Sequence, residues 1–387
     1  MRKRKDKKQM GSNRLILDNK NCPQILKANT IVIKVGSSIL IDPMKNTLKQ
    51  DWLNSFLDEI AVLKKNNKKI IIVSSGSIAL GKSVLKLTSK KLKLDESQAS
   101  AAIGQIKLAQ SYDLILKKYN INTAQVLLTS DDSQNRRRYL NIRSTFKSLL
   151  NMGIIPIVNE NDTVATEEIK FGDNDRLAAQ VALITEANLL ILLSDIDGLY
   201  EKDPNLNPNT KHLPVINEVT KKMLEMASQS TSINSKGGMI TKLEAAKIAM
   251  NGGCEMIIAN GLKNFPLSNF SYEKEKFTRF IPKDDIKTLR KQWILSIKTK
   301  GKLFLDKGAI EAINNHKSLL PAGVINAIGN FERGDAVEII SANNEKVGQG
   351  LSGYSYSEVE KIKGCKSNKI EEKLGHPGRV ALIHIDD

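Results

Sequence analysis

Two lysines, and the carboxylates and amides gathered at the ends of apolar runs, are where this sequence could do chemistry. The segment IVIKVGSS (31–38) sets Lys34 inside an otherwise apolar strand, where an unpaired ammonium is costly to bury. Gly36-Ser37-Ser38 then lets backbone approach an anion closely. SKGGMITK (235–242) is a glycine turn running into a helix with Lys242 in its first turns. NEND (159–162) and GDND (172–175) supply Asp162, Asn174 and Asp175 at element ends, and Ser194-Asp195 closes the strand LLILLS. Phosphoryl transfer asks for an in-line arrangement, a metal on the nucleotide phosphates and fixed positive charge on the migrating group. Lys34 and Lys242, brought from opposite sides of one sheet end, would provide that charge. An acid between them would hold both and keep them protonated. Lys34 is read as pointing into a site, the alternative being an edge-strand lysine reaching for water; each acid–amide group, read singly, is equally an Asx turn or a helix cap.

A competing phosphate reading lies at GSIALGKS (76–83), which fits G-x-x-x-x-G-K-[ST], with LLILLSD (189–195) in the place of a partner magnesium motif. A P-loop must keep its backbone N–H groups turned inward around phosphates. Here Ser77, Ile78, Ala79 and Leu80 favour a core-facing first helical turn, which would carry Lys82 onto the helix flank. The strand before it is also the second of the domain. The sequence therefore argues against a P-loop. It predicts a strand-to-helix turn at Ser74-Ser75-Gly76-Ser77, capped by serine, whose N–H groups suit a carboxylate as well as a phosphate.

The elements that must position these residues are read from periodicity. Strands are predicted at 31–35, 69–74, 123–129, 154–159, 189–194 and 255–260, with helices at 51–65, 101–119, 143–152, 175–187 and 238–252. Strand and helix in alternation imply an α/β fold, a mainly parallel sheet covered by helices on both faces. TVAT and EEIKF, between 161 and 175, alternate as a small hairpin. Residues 263–290 read as a linker or the end of the first domain. From 291 to 387 the text becomes β-rich, with WILSI, GKLFLD, AVEII, EKVGQGLSG and RVALIHIDD as strands and helices near 308–315 and 357–363.

The chain has 387 residues and a formal net charge of +17, of which residues 1–29 carry +7. That basic head reads as a disordered, solvated extension, the alternative being a nucleic-acid arm. Apolar runs are strand-length, too short to span a bilayer, and no apolar segment follows the charged start as a secretory signal requires. The three cysteines, Cys22, Cys254 and Cys365, form neither a metal spacing nor a disulfide framework, so a cytoplasmic location without membrane is expected.

Taken in order, VIKVGSS, IVSSGSIALG, the GQ at 104–105, PIVNENDTVA, EIKFGDND, LLSDIDGLY and GGMITKLEAA closely resemble the glutamate 5-kinase family of the amino-acid kinase fold. The tail, with LLPAGV, GNFERGD and GRVALIHID, resembles the PUA domain that bacterial members often carry. The resemblance implies a three-layer αβα sandwich over 30–262 and a small PUA-like domain over 291–387. It implies ATP-dependent phosphorylation of the L-glutamate side-chain carboxylate, the entry to proline synthesis, with magnesium arriving on ATP. By position it makes Lys34 and Lys242 the phosphoryl-stabilising lysines and Asp175 the organising acid. Ser75, Asp162 and Asn174 fall on glutamate positions. Lys34, Ser194, Asp195, Lys236, Gly237, Gly238, Met239, Ile240, Thr241 and Lys242 fall on the ATP side. It further implies inhibition by proline and a dimer or tetramer, and it leaves RNA open as a partner of the PUA-like domain. Two departures are visible: Lys236 stands where members commonly have threonine, and Ser194 where they often have threonine. Other readings are an aspartate or N-acetylglutamate kinase of the same fold, and an RNA-binding regulator on an inactive kinase domain.

Overall fold

In the computed structural model the described residues are 23–385, apart from 88, 90–91, 130–131, 133–135, 165–172, 205, 230–237 and 270–274. Eight runs make the main sheet: β1 (Thr30–Val35), β2 (Lys69–Ser74), β3 (Thr123–Leu128), β4 (Ile155–Glu160), β5 (Leu189–Ser194), β6 (Val215–Ile216), β7 (Glu255–Asn260) and β8 (Phe277–Phe280). Their order is β6-β8-β7-β5-β1-β2-β4-β3. From β7 to β3 all neighbours are parallel, while β8 runs antiparallel to β7. The expected hairpin at 161–175 lies largely outside the described residues.

The central strands are apolar on both sides because helices cover both faces. On β1, Ile31, Ile33 and Val35 share a cluster with Trp52, Leu53, Phe56, Leu57 and Ile60 of the helix Gln50–Lys65, and with Leu108 and Tyr112 of the helix Leu94–Leu116. Alternation puts Val32 and Lys34 on the opposite face, where the helix Asp173–Ile184 packs on β1 and β5. Lys34 is therefore on a central strand, and the edge-strand alternative falls away.

The helix predicted at 101–119 begins earlier, at Leu94, and crosses the helix Ser77–Val84 with no room to spare. A Cβ on Gly81 would lie 1.7 Å from Ser100 O, and one on Gly104 would lie 1.7 Å from Ser77 O. Two glycines back to back are what let these helices touch by their backbones.

Residues 263–290 do not behave as a linker throughout: Phe277–Phe280 completes the sheet, and Leu267 is buried. The loop after β7 hangs on one face of the helix Gln50–Lys65. Trp52 Nε1 donates to Gly261 O at 2.7 Å, Ser55 Oγ accepts from Phe265 N at 3.1 Å, and Glu59 accepts from Leu267 N and Ser268 N at 2.9 and 2.7 Å. At the other end of this unit the basic head is partly structured, for Pro23–Lys27 is helical and Ile25 joins the core.

The second unit consists mainly of residues from Lys287 on. It has its own sheet of β9 (Gly301–Leu305), β10 (Val324–Gly329), β11 (Ala336–Ser341) and β12 (Lys346–Leu351), in the order β10-β9-β11-β12. Its core gathers Leu303, Phe331, Val337, Val359, Ile362 and Leu382. Two strand expectations are corrected here. WILSI ends the helix Ile286–Ser296, because Ile286, Leu289, Trp293 and Ile294 repeat at helical spacing once the preceding residues are counted. Among the described residues RVALIHIDD contributes one bridge, Leu319 to Ile383, and Leu382 and Ile383 are both buried where a half-buried strand would alternate. Among the described residues no helix is long and apolar enough to cross a membrane.

Candidate active site

The register of the parallel strands brings their carboxyl ends level. Val35 pairs with Ser74, Val73 with Val158, Val35 with Leu193, and Ser194 with Asn260. Ligands of open α/β sheets bind outside such ends, and this is where the candidate residues collect.

Lys34 rises from β1 on the face covered by the helix Asp173–Ile184, whose first turn carries Asp175. Beside it, the helix Met239–Asn251 presents Lys242 from its own first turn. Lys34 Nζ lies 2.6 Å from Asp175 Oδ1 and Lys242 Nζ lies 3.1 Å from Asp175 Oδ2. Thr241 Oγ1 donates to the same Oδ2 at 3.2 Å. Three elements distant in sequence thus hang on one buried carboxylate. Burial alone would raise that carboxyl, but the charges of Lys34 and Lys242 outweigh it and hold Asp175 below the usual carboxylate range. Gly36 leaves this spot open, because a Cβ there would lie 3.7 Å from Lys34 Nζ and 3.5 Å from Leu193 O.

On one flank stand Ser75, Asp162 and Asn174, joined by groups the sequence did not single out as site residues. Asn174 Nδ2 donates to Ser75 Oγ at 2.6 Å and to Asn159 Oδ1 at 3.2 Å. Asn159 Nδ2 donates to Gln105 Oε1 at 2.7 Å and Ser77 Oγ at 3.2 Å, and Ser77 Oγ donates to Asp162 Oδ2 at 3.3 Å. Asn159, Gln105 and Ser77 are all buried. The signal for them was present in the N of NEND, the GQ at 104–105 and the serine after Gly76. Burial raises the Asp162 carboxyl, with the Ser77 hydroxyl opposing.

On the other flank, Ser194 Oγ donates to Asp195 Oδ1 at 3.1 Å, and Gly261 N donates to Ser194 O at 2.8 Å. Gly238 caps the helix Met239–Asn251, and its carbonyl, 2.9 Å from Thr241 Oγ1, shares that hydroxyl proton with Asp175 Oδ2. Met239 and Ile240 are half-buried in that first turn. Lys236 and Gly237 lie outside the described residues.

The turn at 74–77 departs from expectation in one respect. The cap of the helix Ser77–Val84 is Gly76 at φ +110°, with no side chain closing it, since the left-handed backbone there favours glycine over serine. Lys82 lies in the last turn of that helix and donates to Ser89 O at 2.5 Å. Gly81, with its neighbour Ser100, serves helix crossing. Nothing in GSIALGKS wraps an anion, so the P-loop match is incidental.

The amino acid kinase family matches residues 29–260, and the PUA domain matches residues 301–374. The glutamate 5-kinase of Roseobacter denitrificans is 49% identical over 360 residues, 93% of this chain and 96% of that protein. The glutamate 5-kinase of Ruegeria sp. is 49% identical over 360 residues, covering 93% and 98%. That of Agrobacterium fabrum is 50% identical over 358 residues, 92% of each.

Proposed function

The chain belongs to the amino acid kinase family, among its glutamate 5-kinases, and from that premise we propose how its residues divide the reaction. The protein transfers a phosphoryl group from ATP to the side-chain carboxylate of L-glutamate, making L-glutamyl 5-phosphate for proline biosynthesis. The observation that carries the division of labour is the pair of ammonium groups on opposite oxygens of Asp175. Lys34 and Lys242 meet the oxygens of the migrating group, whose charge spreads in the transition state. Asp175, held below the usual carboxylate range by the two charges beside it, keeps both lysines aimed.

Ser75, Asp162 and Asn174 hold the amino acid. The buried Asp162 carboxyl, with no counter-charge among the described residues, suits the substrate ammonium. Ser194, Asp195, Gly238, Met239, Ile240, Thr241 and the lysines face the nucleotide, where the amino end of the helix Met239–Asn251 favours anionic phosphate. Lys236 and Gly237 belong to the same turn by sequence. Both oxygens of Asp175 are committed to ammonium groups, so the residues fit a magnesium ion ligated by ATP phosphates and water. Magnesium bound in that way neutralises phosphate charge. Proline competes at or near the glutamate residues, and the chain works as a dimer or tetramer. RNA is the partner to test on the PUA domain, where steep salt dependence is the signature.

Hydroxylamine trapping across L-glutamate, L-aspartate and N-acetyl-L-glutamate tests this reading. Hydroxamate from L-glutamate, suppressed by added proline, is expected; preferential turnover of either other acid would overturn the substrate assignment.

A further inference from the structure

The amides beside Asp162 are ordered in one direction. Asn159 Nδ2 faces Gln105 Oε1 and Ser77 Oγ, so Asn159 Oδ1 is turned toward Asn174. Both donor contacts of Asn174 Nδ2 are then taken, by Asn159 Oδ1 and by Ser75 Oγ. What remains is Asn174 Oδ1, a buried acceptor with no hydrogen-bond partner among the described residues. A carboxamide has a donor end and an acceptor end of nearly the same shape. Its orientation is therefore set only by its neighbours. Gln105, 7% exposed and next to Gly104 at the close crossing, sets it for Asn159 together with Ser77, whose own proton goes to Asp162. Freed from Gln105, Asn159 could turn over and meet Asn174 donor to donor. Asn174 would turn in response and offer N–H groups where it now offers oxygen.

We propose that Gln105 is a positioning residue that fixes the polarity of this chain of amides, so that Asn174 Oδ1 accepts from the substrate α-ammonium alongside Asp162. The inference rests on the glutamate reading above and deepens it. An unsatisfied buried acceptor costs about 1–3 kcal/mol until a donor arrives, and an ammonium brings three donors. Asn174 and Asp162 sit at two ends of the same linkage, through Asn159 and Ser77. Gln105 acts only through Asn159 and touches no reacting atom.

Glutarate has the same five carbons and two carboxylates as glutamate but no ammonium, so the ratio of the two kcat/KM values reads the ammonium contacts, those of Asn174 Oδ1 and Asp162 together. A site built to hydrogen-bond a substrate group rejects an analogue lacking it by about 10²-fold or more, and the unaltered full-length chain should do so. In Gln105→Leu the KM for L-glutamate should rise about tenfold, and the glutamate-to-glutarate ratio should fall by a similar factor, the loss of one such bond. The KM for ATP should stay within about twofold, as expected when only one substrate's binding is touched. Gln105→Glu still accepts from Asn159 and should recover most of the ratio. Gln105→Met carries the same expectation as leucine if the leucine variant does not fold. An unchanged ratio in the apolar variant overturns the proposal. So does equal loss of ATP and glutamate binding, or a Gln105→Glu variant no better than leucine. Turnover of L-glutamate by the unaltered chain tests the substrate reading; the ratio in the variants tests this one.

Discussion

Asp175→Asn removes a single negative charge while keeping nearly the same shape, and it strikes the point where three elements meet. In the native site the side chains of Lys34, Lys242 and Asp175 are 11%, 8% and 2% exposed, so water does little to screen them. With the aspartate neutralised, two ammonium groups face each other with no counter-charge. At an effective dielectric constant of about 20 each lost attraction amounts to about 4 kcal/mol. Relaxation and the amide oxygen recover part of it, leaving the roughly 3–5 kcal/mol typical of a broken buried pair. With no carboxylate between them the two ammonium groups repel and are no longer aimed at the migrating group, so kcat should fall by about 10²–10³. Urea unfolding gives the first quantity, and ADP release at saturating ATP and glutamate gives the second. The pH dependence supplies a sign. Asp175 is depressed, so its stabilisation is complete above the unfolded value near 4 and is lost as pH falls through the lower folded value. The asparagine variant should lack that acid-limb component. A variant within about 1 kcal/mol and tenfold of the parent would refute the reasoning, being no more than an ordinary surface pair loses.

Lys82→Ala should leave the KM for ATP unchanged within about twofold, because Lys82 serves Ser89 O; a loss of a hundredfold or more would revive the P-loop. Gly104→Ala drives a methyl into Ser77 O and should cost about 3 kcal/mol or more in a denaturant titration. Stability equal to the parent would contradict the close crossing. Glu59 is buried and pushed up to about 7 by desolvation, despite three donors from Leu267 and Ser268. A raised carboxyl binds its proton more tightly in the folded chain, so stability is greatest below the unfolded value near 4.5 and declines as pH rises toward 7. Glu59→Gln should flatten the thermal midpoint between pH 5 and 8, removing a slope worth at most about 3 kcal/mol; identical slopes would refute it.

The six parallel strands were legible because a doubly covered sheet must be apolar throughout, and runs such as IIIV and LLILL say so directly. Lys34 was legible as the exception in such a run, which only a buried partner can justify. Gln105 was legible only as part of the GQ that carries the family resemblance; its place in the site was not, since an amide on a long helix looks like any surface polar residue until the glycine before it shows how closely another backbone approaches. The cap at Gly76 was misread because serine is the commoner cap, and only the left-handed turn tells them apart. Ile286–Ser296 was split by starting the β-rich reading at 291, which cut its helical stripe in two.

The loop after β7 depends on Trp52, Ser55 and Glu59, two hundred residues earlier in the chain. During synthesis that amino-terminal helix emerges long before the amides that will serve it. Until residue 268 has left the ribosome, the Glu59 carboxyl has only water to answer it, so that flank stays hydrated and open. Closure of such distant contacts is slow. These contacts can form only once the chain through Ser268 has been made, so this face of the helix is covered late in synthesis.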